Sequence, residues 1–366
     1  MAGGPSGPML LARSAAVWGK CVGTEVPPTR ALGRRGRPQK ILQRRVETRF
    51  RRYGGRRDVA FAYRAGVSVA SWPWRWLQRR AARAARTGRD ARRAAALMDA
   101  SASRSRTMPL QDQSFVRREL DFPGALRQGA SGAAVKRVQE WLGFHGNGTP
   151  IDGKFGPGTD RALQGFAARK RIAYAGEVGP AVWAALTEPM ARVLAAAAPA
   201  NKPYPQLVRW FAEQHLSVHP IEIGGANRGP WVRLYMKGSE GDSMLWCAGF
   251  VSTVLRQAAE HAQRAMPIAG SFGCDELAAQ AKAAGRFLAG RSVAGGNPGF
   301  AALGACGVFL VRKSASDWVH TGFAFDGNAE SFLSIEGNTD HKGSANGFEV
   351  AQRARKTAAC DFIRLG

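Results

Sequence analysis

Trp246-Cys247-Ala248-Gly249-Phe250-Val251 runs on into Ser252-Thr253-Val254-Leu255-Arg256-Gln257-Ala258-Ala259. Phe250, Val251, Val254 and Leu255 fall at i, i+1, i+4 and i+5, which draws one apolar stripe on an α-helix. Gly238 to Ser243 ahead of it is a loop of turn formers, so Cys247 is expected in or just before the first helical turn. A thiol there meets the positive end of the helix dipole and unpaired backbone N–H groups, which favour the reactive thiolate. A buried structural cysteine is the plainer reading of the same residues.

Two stretches downstream change that balance. Trp318-Val319-His320-Thr321-Gly322-Phe323-Ala324-Phe325 alternates, with Val319, Thr321, Phe323 and Phe325 on one face and His320, Gly322 and Ala324 on the other. It predicts a strand whose histidine has small neighbours. Phe332-Leu333-Ser334-Ile335-Glu336-Gly337-Asn338 predicts the next strand, with a carboxylate and a carboxamide near its end. A helix-start cysteine, a strand histidine and an acid or amide on a neighbouring strand are the parts of an activated thiol. The imidazole takes the thiol proton, and the third group fixes the ring's tautomer and orientation.

WCAGFV, VHTGFAF and IEGN together resemble the CHAP family, the cysteine- and histidine-dependent amidohydrolases and peptidases of bacterial and phage cell-wall hydrolases. The resemblance runs over most of 205–366 and includes Gly224 to Tyr235, similar to the cleft-lining lead-in of some members. It implies Cys247 as nucleophile, His320 as base, Glu336 and Asn338 as the orienting pair, and Asn227 and Trp246 as substrate contacts. It also implies a papain-like α+β module, with helices packed on an antiparallel sheet and no cofactor or metal. The 73-residue separation of Cys247 and His320 is long for that family, and residues 265–298 are the segment that lengthens it.

The net charge of +26 is unevenly spread, with +20 of it in residues 1–107. That segment is rich in Arg, Ala and Gly and poor in patterned apolar residues, and so reads as a basic, low-order extension. Within it, Ser71-Trp72-Pro73-Trp74-Arg75-Trp76-Leu77-Gln78-Arg79-Arg80 is suited to an anionic membrane surface, although a solvated charge run is the preferred reading. Nucleic acid has only the charge in its favour. Met108 makes an alternative start, and residues 1–107 are expected to be dispensable.

The five cysteines (Cys21, Cys247, Cys274, Cys306 and Cys360) show no CxxC spacing, which indicates neither a disulfide framework nor a zinc knuckle. His215 and His219 are spaced i, i+4 as a metal pair would be, but lack the Glu of H-E-x-x-H and read as structural. No apolar run is long enough to span a bilayer. Arg13 cuts short Met9-Leu10-Leu11-Ala12, so no signal peptide is expected.

From Leu126 the texture becomes that of a small helical domain. Ser131 is expected to cap a helix carrying Val135, Val138, Trp141 and Leu142. A turn-dense loop, Ile151 to Thr159, follows, with Thr159 expected to cap the helix of Ala162, Leu163 and Phe166. Pro180 to Leu186 supplies a third helix, with Pro180 in its first turn. Trp141, Phe155 and Trp183 are read as core. LRQGxxGxxVKRVQxWL, DGKFGPGTxxALxxF and GPAVWAAL resemble the common peptidoglycan-binding domain over Leu126 to Leu186, the DGxFGPxT loop being the specific part.

The expected organisation is a basic extension (1–107), a three-helix binding domain (120–190), a Pro-containing linker (191–205) and a catalytic module (206–366). Leu207 to His215 and Asp275 to Phe287 are expected helices, and Val308 to Val311, Phe348 to Arg355 and Phe362 to Leu365 expected strands. Helices followed by an antiparallel sheet define the α+β class. The activity expected is amide hydrolysis in peptidoglycan at the wall or in the periplasm, as amidase or stem-peptide endopeptidase, by a monomer released by lysis or a signal-independent route. A non-catalytic wall-binding protein and a secreted antibacterial effector are the alternatives.

Overall fold

The helix behind Cys247 forms as the apolar stripe requires, over Cys247–His261, and packs on one face of a six-stranded antiparallel sheet. The computed structural model describes residues 108–342 and 346–366. The tryptophan-rich stretch at 71–80 and the rest of 1–107 lie outside the described residues.

In chain order the helices are α1 (Ser114–Leu120), α2 (Ala133–Phe144), α3 (Pro157–Lys170), α4 (Pro180–Leu194), α5 (Tyr204–Val218), α6 (Pro230–Tyr235), α7 (Cys247–His261), α8 (Cys274–Ala283) and α9 (Gly290–Ala294). A two-stranded ribbon, β1 (Leu126–Arg127) with β2 (Glu177–Val178), ties the ends of the first helical group. The large sheet comprises β3 (Phe287–Leu288), β4 (Gly307–Arg312), β5 (Trp318–Phe325), β6 (Ser331–Thr339), β7 (Glu349–Lys356) and β8 (Cys360–Arg364), in the order β3-β8-β4-β5-β6-β7. The architecture is α+β, helices first and antiparallel sheet after.

Alternation along the strands gives the sheet two apolar faces. Val308, Leu310, Phe323 and Ile335 join the main core with Phe250 and Val254 of α7. Phe309, Ala324, Phe332 and Phe362 join a smaller one with Val293, Phe300 and Leu303. Two glycines let α7 seat so closely. A Cβ on Gly337 would stand 2.7 Å from Phe250 Cβ, and one on Gly249 would stand 2.6 Å from the Tyr235 carbonyl oxygen of α6.

Several boundaries differ from the sequence expectation. The Asp275 helix ends at Ala283 because Gly285 takes φ +65°, and Phe287 is already in β3. Ser131 does not cap α2; Gly132 precedes that helix, and Ser131 forms a β-bridge with Lys154. Thr159 does not cap α3 either. It is buried inside the first turn after Gly156, and its hydroxyl accepts a hydrogen bond from Gln139 Nε2 at 3.1 Å.

The stretch expected to link two modules is entered by a helix at each end. α4 runs to Leu194 and α5 starts at Tyr204, leaving 195–203 between them, with Ala198 buried. The helical group and the sheet-bearing part share the main core. At their junction the Arg233 guanidinium is buried among Glu119 (2.8 Å), Glu140 (2.6 Å) and Glu240 (2.6 Å), so α1 and α2 are bonded to α6. Gln257 of α7 donates to the Val193 carbonyl of α4 at 2.7 Å.

Candidate active site

Pairing between β5 and β6 is confined to Phe323–Phe325 against Leu333–Ile335. Beyond those rungs the strands are joined by side chains instead. His320 Nε2 donates to Glu336 Oε2 at 2.9 Å, with both groups buried. The second oxygen of Glu336 accepts from Ser334 Oγ at 2.5 Å and from Arg355 Nε at 2.7 Å, and Arg355 Nη2 reaches Oε2. Burial alone would raise the Glu336 carboxyl, but Arg355 and His320 outweigh it and hold it down to about 2. The acid is therefore ionised and fixes His320 with the proton on Nε2.

His320 Nδ1 is buried and has no hydrogen-bond partner among the described residues, and the Cys247 thiol is the group with which His320 interacts electrostatically. Cys247 is the first residue of α7, as expected, and is 3 % exposed. Its thiol is held well below the ordinary range. The Cys274 thiol contributes most, burial opposes, and the charge of His320 and the Ala248 N–H add to the lowering. Burial would lower His320, yet its bonds to Cys247 and Glu336 raise it to about 9. The two shifts have opposite sign, the direction that favours a thiolate beside an imidazolium.

Three of the six expected site residues thus come together: Cys247, His320 and Glu336. Asn338 does not join them. It lies past an irregularity in the β6–β7 register with φ +55°, and neither polar atom of its buried carboxamide is bonded. Trp246 is wholly buried, stacked on Tyr235 at 5.3 Å and 10°, with Nε1 on Glu222 Oε1 at 2.9 Å. Its ring presents no surface to a ligand and instead supports the start of α7. Asn227 is buried and donates to the Asp242 carbonyl at 3.2 Å, holding the loop that leads into Cys247.

Three participants carried no sequence signal: Arg355, Ser334 and Cys274. Arg355 sits among three other basic residues in 353–364. Ser334 was legible only as a position two residues from Glu336, on the same strand face. Cys274 Sγ lies 4.0 Å from Cys247 Sγ through a tertiary contact that spacing does not reveal.

His215 and His219, spaced i, i+4, take separate partners. His215 is buried between Tyr235 Oη (2.9 Å) and Gln257 Oε1 (3.1 Å), and burial pushes it down to about 4. His219 meets Glu349 at the surface.

In the helical group, buried Gln139 of α2 binds the loop that carries the specific motif. Its amide donates to Asp152 and Thr159, and its carbonyl accepts the Gly153 N–H at 2.8 Å. Trp141, Phe155 and Trp183 are core.

Residues 131–186 match the family described as "Putative peptidoglycan binding domain". Residues 2–33 match a family of unknown function (DUF6053). No curated protein and no solved structure matches the chain. The matched domain connects the chain with peptidoglycan and the cell wall. No helix among the described residues is long and apolar enough to cross a membrane.

Proposed function

We propose that the chain is a cysteine-dependent peptidoglycan hydrolase, CHAP-like in its site, that cleaves an amide bond while its helical group engages the wall. One observation carries this reading: a buried thiol at a helix start is electrostatically coupled to a histidine whose Nε2 is fixed by a buried, arginine-held glutamate.

The Cys247 thiolate attacks the amide carbonyl carbon, and the carbonyl electron pair moves to oxygen, where the Cys247 N–H at the start of α7 can donate to it. His320, already protonated, gives its Nδ1 proton to the leaving amine as the C–N bond breaks. The thioester that remains is hydrolysed by water that His320 deprotonates. Glu336 balances the imidazolium throughout. The substrate bond is the N-acetylmuramoyl-L-alanine amide or one within the stem peptide.

Incubating the full chain with purified sacculi tests the proposal. New amine and carboxyl ends in the soluble fraction, identified by mass, are the expected result and distinguish the two bonds. A second reading, a wall-binding protein without catalysis, is favoured by the near-complete burial of Cys247 (3 % exposed) and His320 (1 %). It predicts pelleting with sacculi and no new ends.

A further inference from the structure

Cys247 and Cys274 are the first residues of α7 and α8, and their sulfurs stand 4.0 Å apart. A disulfide needs about 2.04 Å between sulfurs, so roughly 2 Å of closure joins them. The movement falls on the segment ahead of Cys274, whose Ser271–Ser252 and Gly270–Gln280 hydrogen bonds must shift with it. Gly270, at φ +82°, and Gly273 flank Ser271 and the exposed Phe272, and Gly273 immediately precedes α8. The other two described cysteines have no such neighbour. Cys306 donates only to the Gly307 carbonyl, Cys360 lies in the smaller core, and burial raises both thiols.

We propose that Cys247 and Cys274 form a reversible disulfide under hydroperoxide stress, a modification site that switches the hydrolase off. The switching role rests on the function proposed above; the bond itself does not.

In the first step the Cys247 thiolate attacks one oxygen of the hydroperoxide and the O–O bond breaks. Cys247 becomes a sulfenic acid, and the other oxygen leaves as water or an alcohol after taking a proton. In the second step Cys274 sulfur attacks the Cys247 sulfur. The S–O bond breaks, and the hydroxide released takes the Cys274 proton as water. One peroxide is reduced and two thiols are oxidised. The negative charge on Cys247, which raises the Cys274 thiol in the reduced pair, is absent from the sulfenic acid, so Cys274 is freed to attack at that stage. A thiol reductant reverses the bond by exchange.

The test treats the full chain with hydrogen peroxide, maps cysteine-containing peptides without reduction, and assays wall hydrolysis before and after dithiothreitol. The expected result is a Cys247–Cys274 linked peptide with Cys306 and Cys360 free. Activity should be lost with peroxide and recovered at least tenfold with dithiothreitol. In Cys274→Ala, peroxide should drive Cys247 to sulfinic acid, and dithiothreitol should restore nothing. Should that variant fail to fold, the wild-type map decides alone. Cys247 found unmodified, over-oxidised or linked to another cysteine while Cys274 stays free would overturn the proposal. A linked peptide in a protein that never cleaves walls would uphold the bond and refute the hydrolase reading. Cleavage without a linked peptide would do the reverse.

Discussion

Arg355 and His320 hold Glu336 between them, His320 on one carboxylate oxygen at 2.9 Å and Arg355 reaching both. The acid that holds His320 is thus itself held from the next strand, β7. Arg355→Gln should lower wall hydrolysis and midpoint temperature together, because the buried carboxylate loses a charged hydrogen bond worth about 1.5–3 kcal/mol. Glu336→Gln should lower turnover less than His320→Ala, for which a loss of about 10²–10⁴-fold is expected. Kinetics of the three variants check the ranking, and an Arg355→Gln protein with wild-type turnover and midpoint would contradict it.

The opposite shifts of Cys247 and His320 give the proposed activity a defined pH dependence. The competent pair has thiolate and imidazolium together. Raising the pH through about 9 removes the His320 proton and with it the acid for the leaving amine, so kcat/KM should fall there. The lowered Cys247 should keep the thiolate populated well below the ordinary thiol value of 9.0. Iodoacetamide alkylation of Cys247 at neutral pH should therefore be fast in the wild type and slow in His320→Ala. An alkylation profile rising only near the ordinary thiol value would exclude the ion pair.

Acid stability follows from Glu336. Its carboxyl is held near 2 in the fold against an ordinary value of 4.5, so its contribution is present above about 4.5 and is lost as the pH falls toward 2. In urea titrations, Glu336→Gln should flatten the stability profile over that window. An unchanged profile would show that the carboxylate is not held as described.

The Arg233 cluster predicts that helices and sheet unfold together. Arg233→Met leaves the buried Glu119 and Glu140 and the half-buried Glu240 without their shared cation, with only the longer contacts of Lys136 and Arg137, and should cost roughly 3–5 kcal/mol. Denaturation of the wild type followed by tryptophan fluorescence and by far-UV signal should give coincident transitions. A small cost with two separated transitions would mean that the parts are energetically independent.

Much of this was legible in the sequence. The strand at 318–325 was read with its observed bounds, because strict alternation has one solution there, and Cys247 was placed at its helix start by the stripe behind it. Glu336 and Asn338 share a strand parity, but the register breaks after Glu336 and Asn338 takes φ +55°, so the simple alternation does not hold there. The resemblance implies Trp246 as a substrate contact, whereas stacking on Tyr235 takes it into the core. Ala191 to Pro205 suggested a spacer by composition, yet alanine is also the best helix former, and α4 runs through its first four residues. Arg355 and Cys274 act through contacts between distant segments, which no local pattern encodes.

The most direct measurement compares wild type with Cys247→Ala on purified sacculi, scoring both soluble ends released and protein pelleted. The expected result is hydrolysis at background with pelleting unchanged, since the thiol is lost and the helical group at 131–186 is untouched. Substantial hydrolysis by Cys247→Ala would contradict the central claim that this thiol is the nucleophile.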